Sequence, residues 1–196
     1  MAGAFSEQMA DVSAALIASD GKELLIAARG KFASKPAGAQ ALKPDLVLFG
    51  SDAMMQAGRA QFATGRTGAP ELVAQADSIA AGAQIWVVAR GDAPLPFSGN
   101  AANLAGILRK ATFVTLTART NAGLALELRA LAPDVDAAQA IEETLRADVT
   151  LGAAGEARRP DIAAALRSIQ VTRNDREVRL ALAVSNETAE KLFGLF

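Results

Sequence analysis

The sequence predicts an α+β fold: a two-layer sandwich, with helices on one face of a mainly antiparallel sheet. Three observations carry this. Thr112–Arg119 and Leu124–Leu131 alternate apolar and polar residues and flank Asn121-Ala122-Gly123, which is a hairpin signature. A second alternating pair, Ile169–Arg173 and Glu177–Val184, flanks Asn174-Asp175. Between and after these hairpins, Val135, Ala138, Ile141, Leu145 and Val149, then Ala189, Leu192, Phe193 and Phe196, recur at helical spacing. One-sided alternation gives the sheet a packed and a solvated face, so the apolar stripes cover one side.

The remaining elements follow along the chain. Phe5, Met9, Val12 and Leu16 recur every three or four residues and predict a helix that ends at Asp20-Gly21. Glu23–Arg29 (ELLIAAR) reads as a buried strand. Gly30–Pro44 has no period and reads as a long surface loop with three of the six lysines, Lys31, Lys35 and Lys43. Leu46–Phe49 reads as a short strand, followed by a helix over Ala53–Phe62 capped by Ser51 or Asp52. Pro70 opens a further helix, with Leu72, Val73, Ala76 and Ile79 on one face and Gly82 as its stop. Gln84–Ala89 reads as a strand, Gly91–Gly99 as a proline-rich loop and Asn100–Lys110 as a helix.

In the second half, Asp134 caps the helix that carries Ile141, and Glu142 to Arg146 forms a helpful i,i+4 pair. Gly152–Pro160 breaks the pattern before a short helix over Asp161–Arg167, and Ser185 or Asn186 caps the last helix. Thr112–Val149 and Ile169–Phe196 form a faint β-β-α repeat. The expected organisation is a single domain over residues 1–196, with subdomains 1–99 and 100–196 as the alternative.

Composition narrows the chemistry. The 196 residues include no histidine, cysteine or tyrosine, the side chains that carry most proton transfer, thiolate chemistry and soft-metal ligation near neutral pH. Disulfides are excluded, and no cofactor is expected. Twenty basic residues face twenty-one acidic ones, so no global field steers the chain to nucleic acid or anionic lipid. No apolar run approaches the length of a transmembrane segment. Met1-Ala2-Gly3-Ala4 lacks the basic start and apolar core of a signal peptide.

The order of Leu46–Phe62, Leu72–Gly91, the Ala111–Ala130 hairpin and the closing hairpin with SIQVTRNDREVRLALAVS resembles repeated α+β domains of uncharacterised exported bacterial proteins. The resemblance covers roughly residues 45–196 and lies in pattern, not signature residues. It implies a bacterial, extracytoplasmic, non-enzymatic protein.

Motifs that could carry chemistry have simpler readings. Gly50-Ser51-Asp52 lacks a Walker lysine and reads as a capped turn. Arg90-Gly91-Asp92 spells an adhesion tripeptide but reads as a strand-end turn. Arg158, Arg159, Arg167, Arg173, Arg176 and Arg179 have no interleaved aromatics for stacking bases and read as a salt-bridged surface. A modest basic patch forms there if Arg173 and Arg179 share the open sheet face with Arg129. Asp134/Asp136 lie at a helix start, and Glu142/Glu143 are expected to face solvent. Neither pair suits a general acid. Ser34-Lys35 lies in the surface loop, and no S-x-x-K or G-x-S-x-G motif is present. Trp86 is expected in the core, and Phe97 as a plug between Pro96 and Ser98.

The leading expectation is a non-enzymatic interaction or ligand-binding domain whose partner is a protein or small ligand. Its binding residues would be Lys31, Lys35, Lys43 and Phe97, because long loops on a rigid scaffold are where binding concentrates. Two alternatives stand beside it. One is an enzyme acting on an anionic small molecule with carboxylate and arginine side chains, betrayed by a buried carboxylate beside an arginine in a deep pocket. The other is a homo-oligomeric structural domain pairing through an exposed sheet edge.

Overall fold

The computed structural model describes residues 12–20, 22–32, 36–65, 68–79, 82–93 and 106–193. The chain divides into two compact units, Met1–Gly68 and Ala69–Phe196. The α+β class holds, but the strands form two antiparallel sheets, not one.

The first unit holds a four-stranded sheet in the order β1-β2-β4-β3. Its strands are β1 (Val12–Ser19), β2 (Leu24–Gly30), β3 (Gln40–Lys43) and β4 (Leu46–Gly50). The helix expected over Phe5–Leu16 is corrected: Val12–Ser19 is a strand paired with β2 from Ala14 opposite Arg29 to Ser19 opposite Leu24. Phe5 and Met9 lie outside the described residues. Asp20 closes this hairpin, its Oδ1 accepting from the amides of Lys22 and Glu23 at 2.9 Å each. The expected long loop is corrected too, because Gln40–Lys43 pairs with β4.

Helix α1 (Asp52–Thr64) follows β4. Ser51 caps it, with its hydroxyl accepting from the Met54 amide at 3.3 Å, as the sequence predicts. The helix lies on the sheet face that carries Leu25 and Leu48, where Gly58 lets it come close to both side chains. Ala28, Ala39 and Val47 form a small core on the opposite face, joined by Val12, Phe32 and Phe49.

The second unit opens with α2 (Pro70–Asp77), which Pro70 starts and which ends short of the predicted Ile79. A five-stranded sheet in the order β5-β6-β7-β9-β8 follows. It contains β5 (Ile85–Arg90), β6 (Phe113–Arg119), β7 (Leu124–Leu131), β8 (Gln170–Asn174) and β9 (Glu177–Val184). Because β5 pairs with β6, the division falls near residue 68, ahead of the expected 99/100 boundary. Of the helix expected over Asn100–Lys110, residues 106–108 are helical and the stretch up to 105 lies outside the described residues.

Both predicted hairpins form, β6–β7 and β8–β9. Gly123 at the first turn has φ +105°, and a Cβ there would sit 2.3 Å from the Val184 carbonyl oxygen, so only glycine fits. The cover consists of α3 (Val135–Gly155), α4 (Pro160–Arg167) and α5 (Asn186–Phe193). Asp134 caps α3 by accepting from the Ala137 amide at 2.7 Å. Ile141 and Leu145 of α3 pack with Val114, Leu128, Ala130, Val171 and Val178 of the sheet. Ion pairing of Lys191 with Asp161, at 2.8 Å, ties α5 to α4.

Candidate functional site

Acid–base chemistry needs a carboxyl whose environment favours the proton, and the arginine-flanked carboxylates here go the other way. Glu127 lies between Arg129 and Arg179 on the sheet face away from the α3 stripe. Partial burial pushes its carboxyl up, but the guanidinium hydrogen bonds from Arg129 and Arg179 prevail and hold it below the ordinary glutamate range. The pocket beside it, partly lined by Ser78, Thr115 and Thr117, holds about 30 Å³, enough for a water and little else.

Glu142 differs from expectation. It does not simply face solvent: its side chain is only 18% exposed, and it accepts from Arg146 Nη2 and from Arg173 Nε at 2.9 Å each. These two guanidinium groups hold its carboxyl below the usual range. Arg173 therefore sits on the helix-covered side, opposite Val178. Arg179 instead lies directly across from Arg129. The basic patch reduces to these two arginines, with Glu127 between them.

An open groove of about 490 Å³ runs between α3, α4 and β8, with Arg146 and Arg167 at its rim and Ala153, Ile169 and Val171 among its lining. Among the described residues, no group of three or more acidic side chains converges to hold a metal ion. No described helix is long and apolar enough to cross a membrane. The adhesion-like tripeptide is structural: Arg90 pairs with Glu71. A Cβ at Gly91 would meet the Ala111 carbonyl oxygen at 1.9 Å.

The sheet edges show a sharper contrast. A bare strand edge is a template for another strand unless charge, brevity or a cover blocks it. The β8 edge is blocked, because Arg146 Nη2 donates to the Val171 carbonyl at 2.5 Å and the Arg173–Glu142 pair lies beside it. The β3 edge is four residues long, has an irregular register between Ala41 and Lys43, and ends in a charge. The β5 edge exposes Ile85, Trp86 and Val87 but ends in the Arg90–Glu71 pair. Trp86 is 42% exposed, which corrects its expected core position: it is on an edge strand.

Among the described residues, β1 is neither short, charged nor covered, and its one irregularity lies between Val12 and Ala14. Its eight residues, VSAALIAS, include no charge, and from Ser13 onward every one is exposed. Leu16 is 52% and Ile17 62% exposed, on opposite faces of the sheet, with Leu24 beside them at 55%. The outward polar groups follow from the register. The Gly30 amide donates to the Asp45 carbonyl at 3.0 Å, so even-numbered residues of β2 turn their backbone groups toward β4 and odd-numbered ones toward β1. With Leu16 opposite Ala27, Leu16 bonds inward, and Ala15 and Ile17 present their N–H and C=O groups outward.

Of the residues expected to bind, Lys31 and Lys43 are exposed and lie at one end of the first sheet. Lys31 follows Gly30 of β2, and Lys43 pairs with Leu46 next to Asp45. The Lys43 ammonium stands 5.4 Å from the Phe62 ring centroid, a cation–π distance. Lys35 and Phe97 lie outside the described residues. The sequence reading missed the β1 edge. The missed signal is a charge-free run of strand length, separated by a short Asp20-Gly21 turn from a strand of matching length. No family model, curated protein or solved structure matches this chain.

Proposed function

We propose that this protein is a non-enzymatic interaction domain that takes an extended segment of its partner as an added strand along β1. One observation carries the reading: an eight-residue, charge-free edge strand exposed on both faces, whereas the other described edges are short, end in a charge pair or are bonded over. Main-chain hydrogen bonds from Ala15 and Ile17 would supply affinity, and Leu16, Ile17 and Leu24 would supply apolar contact on the two faces. Lys31 and Lys43 belong to the same proposal. They stand at the end of the sheet where Val12 pairs with Gly30 and would read acidic groups flanking the added strand. A bacterial, extracytoplasmic setting is part of the proposal and is supported by the sequence pattern alone.

The test uses a panel of extended, Val/Ile-rich probe peptides and the Ile17→Pro variant. The Ile17 amide points away from β2, so proline there removes an outward donor without breaking the β1–β2 ladder. Probe binding by the native chain and by Ile17→Val, lost in Ile17→Pro, is the expected result. Binding that survives in Ile17→Pro, or no binding by any probe to a native chain whose mass shows it to be monomeric, would overturn the proposal.

A further inference from the structure

We infer that the strand added to β1 is β1 of a second copy, paired antiparallel about a two-fold axis through Leu16; this rests on the strand-addition reading above. The basis is the residue order. Ser13-Ala14-Ala15-Leu16-Ile17-Ala18-Ser19 reads nearly the same in both directions. Centred on Leu16, an antiparallel pairing sets Leu16 against Leu16, Ala15 against Ile17, Ala14 against Ala18 and Ser13 against Ser19. Any two-fold pairing is reciprocal, residue i meeting j and j meeting i; what this residue order adds is that both halves of the pairing place small side chains opposite small ones or a small one opposite Ile17. No large side chain meets another except at the axis, and no charge is brought into the pairing.

The hydrogen-bond phase agrees. Ala15 and Ile17 are the residues whose N–H and C=O groups point outward, and the centred register places them opposite each other, so they exchange both bonds. Leu16 then forms the non-hydrogen-bonded pair at the axis, where side chains come closest. Leu16 extends from the α1 side of the sheet and Ile17 from the other, so apolar contact forms on both faces of the joined, eight-stranded sheet. The β1 register is regular from Ala14 to Ser19, with its one irregularity confined to the Val12 end. Charge also matches. The pairing carries the Asp20 turn of one copy toward the Gly30–Lys31 end of the other, and Asp20 is held ionised by the amides of Glu23 and Lys22.

The absence of cysteine makes the register directly readable. Across a non-hydrogen-bonded pair the Cα atoms lie about 4.5 Å apart, within disulfide reach, so Leu16→Cys should form a disulfide-linked dimer under mild oxidation. Ala14→Cys is the control. Its two copies lie four residues out of register, about 14 Å apart, and should not link, whereas a mixture of Ala14→Cys and Ala18→Cys chains should. The native full chain should show a dimer mass by sedimentation equilibrium, and Ile17→Lys should sediment as a monomer with an unchanged circular dichroism spectrum.

Three results would overturn the inference: a native chain that stays monomeric at hundreds of micromolar, a dimer in which Leu16→Cys fails to link, or one in which Ala14→Cys alone links equally well. A monomer that still captures a probe peptide in an Ile17-dependent way removes the second copy and leaves the strand-addition reading standing. A monomer that captures none removes both.

Discussion

Replacing Glu142 with glutamine tests whether the second sheet's outer edge is closed by charge. The substitution keeps the size of the side chain and removes the anion shared by Arg146 and Arg173. Exposed ion pairs contribute about 0.2–1 kcal/mol each. Glu142 is half-buried and holds two such pairs with partly exposed arginines, so the loss should be about 0.5–2 kcal/mol at pH 7. The pH dependence separates charge from shape. The folded carboxyl is held below the ordinary glutamate value of 4.5. Its contribution is therefore complete above that value and fades as the pH falls through the folded-state value, where the wild-type group also becomes neutral. Urea unfolding followed by circular dichroism, from pH 7 down to about pH 3 at constant ionic strength, should show the two proteins converging in acid. An equal deficit at both ends, or none at pH 7, would refute the reasoning.

Other outcomes follow from the core, the hairpin turn and the lysines. Ile141→Ala, at a position with no exposure in the second unit, removes three carbons at about 0.8 kcal/mol each. An incompletely collapsed cavity adds on the order of 1–2 kcal/mol, so urea unfolding should show a loss of about 3.5–4.5 kcal/mol. Ile141→Val should cost only about 0.5–1.5 kcal/mol, and equal losses would show a site that is not closed. Gly123→Ala forces a Cβ against the Val184 carbonyl at a positive φ and should lower stability by at least about 2 kcal/mol; a neutral result by thermal melting contradicts the β6–β7 turn. Joint alanine replacement of Lys31 and Lys43 should raise the dissociation constant of the paired copies about three- to tenfold at low salt, read by sedimentation, and unchanged affinity removes those two lysines from the surface.

The second unit was the more legible part of the chain. Period-two alternation in Thr112–Leu131 and Glu177–Val184 fixes which side chains face the helices, because a one-residue slip would expose every one of them. Asp134 and Ser51 announce their helices because an amide at a helix start needs an acceptor. The first unit resisted. A spacing of four between Val12 and Leu16 fits a helical turn as well as alternate strand positions, and the irregularity at the start of β1 puts those two residues on opposite faces. β3 is four residues long, too short to show a period.

Glu142 was read as solvated because its second arginine, Arg173, lies 31 positions away, and only the tertiary fold brings it across. For the same reason the open edge was invisible: whether a strand borders a sheet depends on which other strands pair, not on its own residues. The near-palindrome about Leu16 was in view throughout, but it acquires meaning only once β1 is known to be an edge.

The most direct measurement is residue-resolved amide exchange of Ala15 and Ile17 in the native chain as its concentration is raised. These two amides, pointing outward from β1, should gain protection with a midpoint that matches the change in mass, while the inward-facing Leu16 amide stays protected throughout. Exchange at Ala15 and Ile17 that remains fast and independent of concentration would contradict the account.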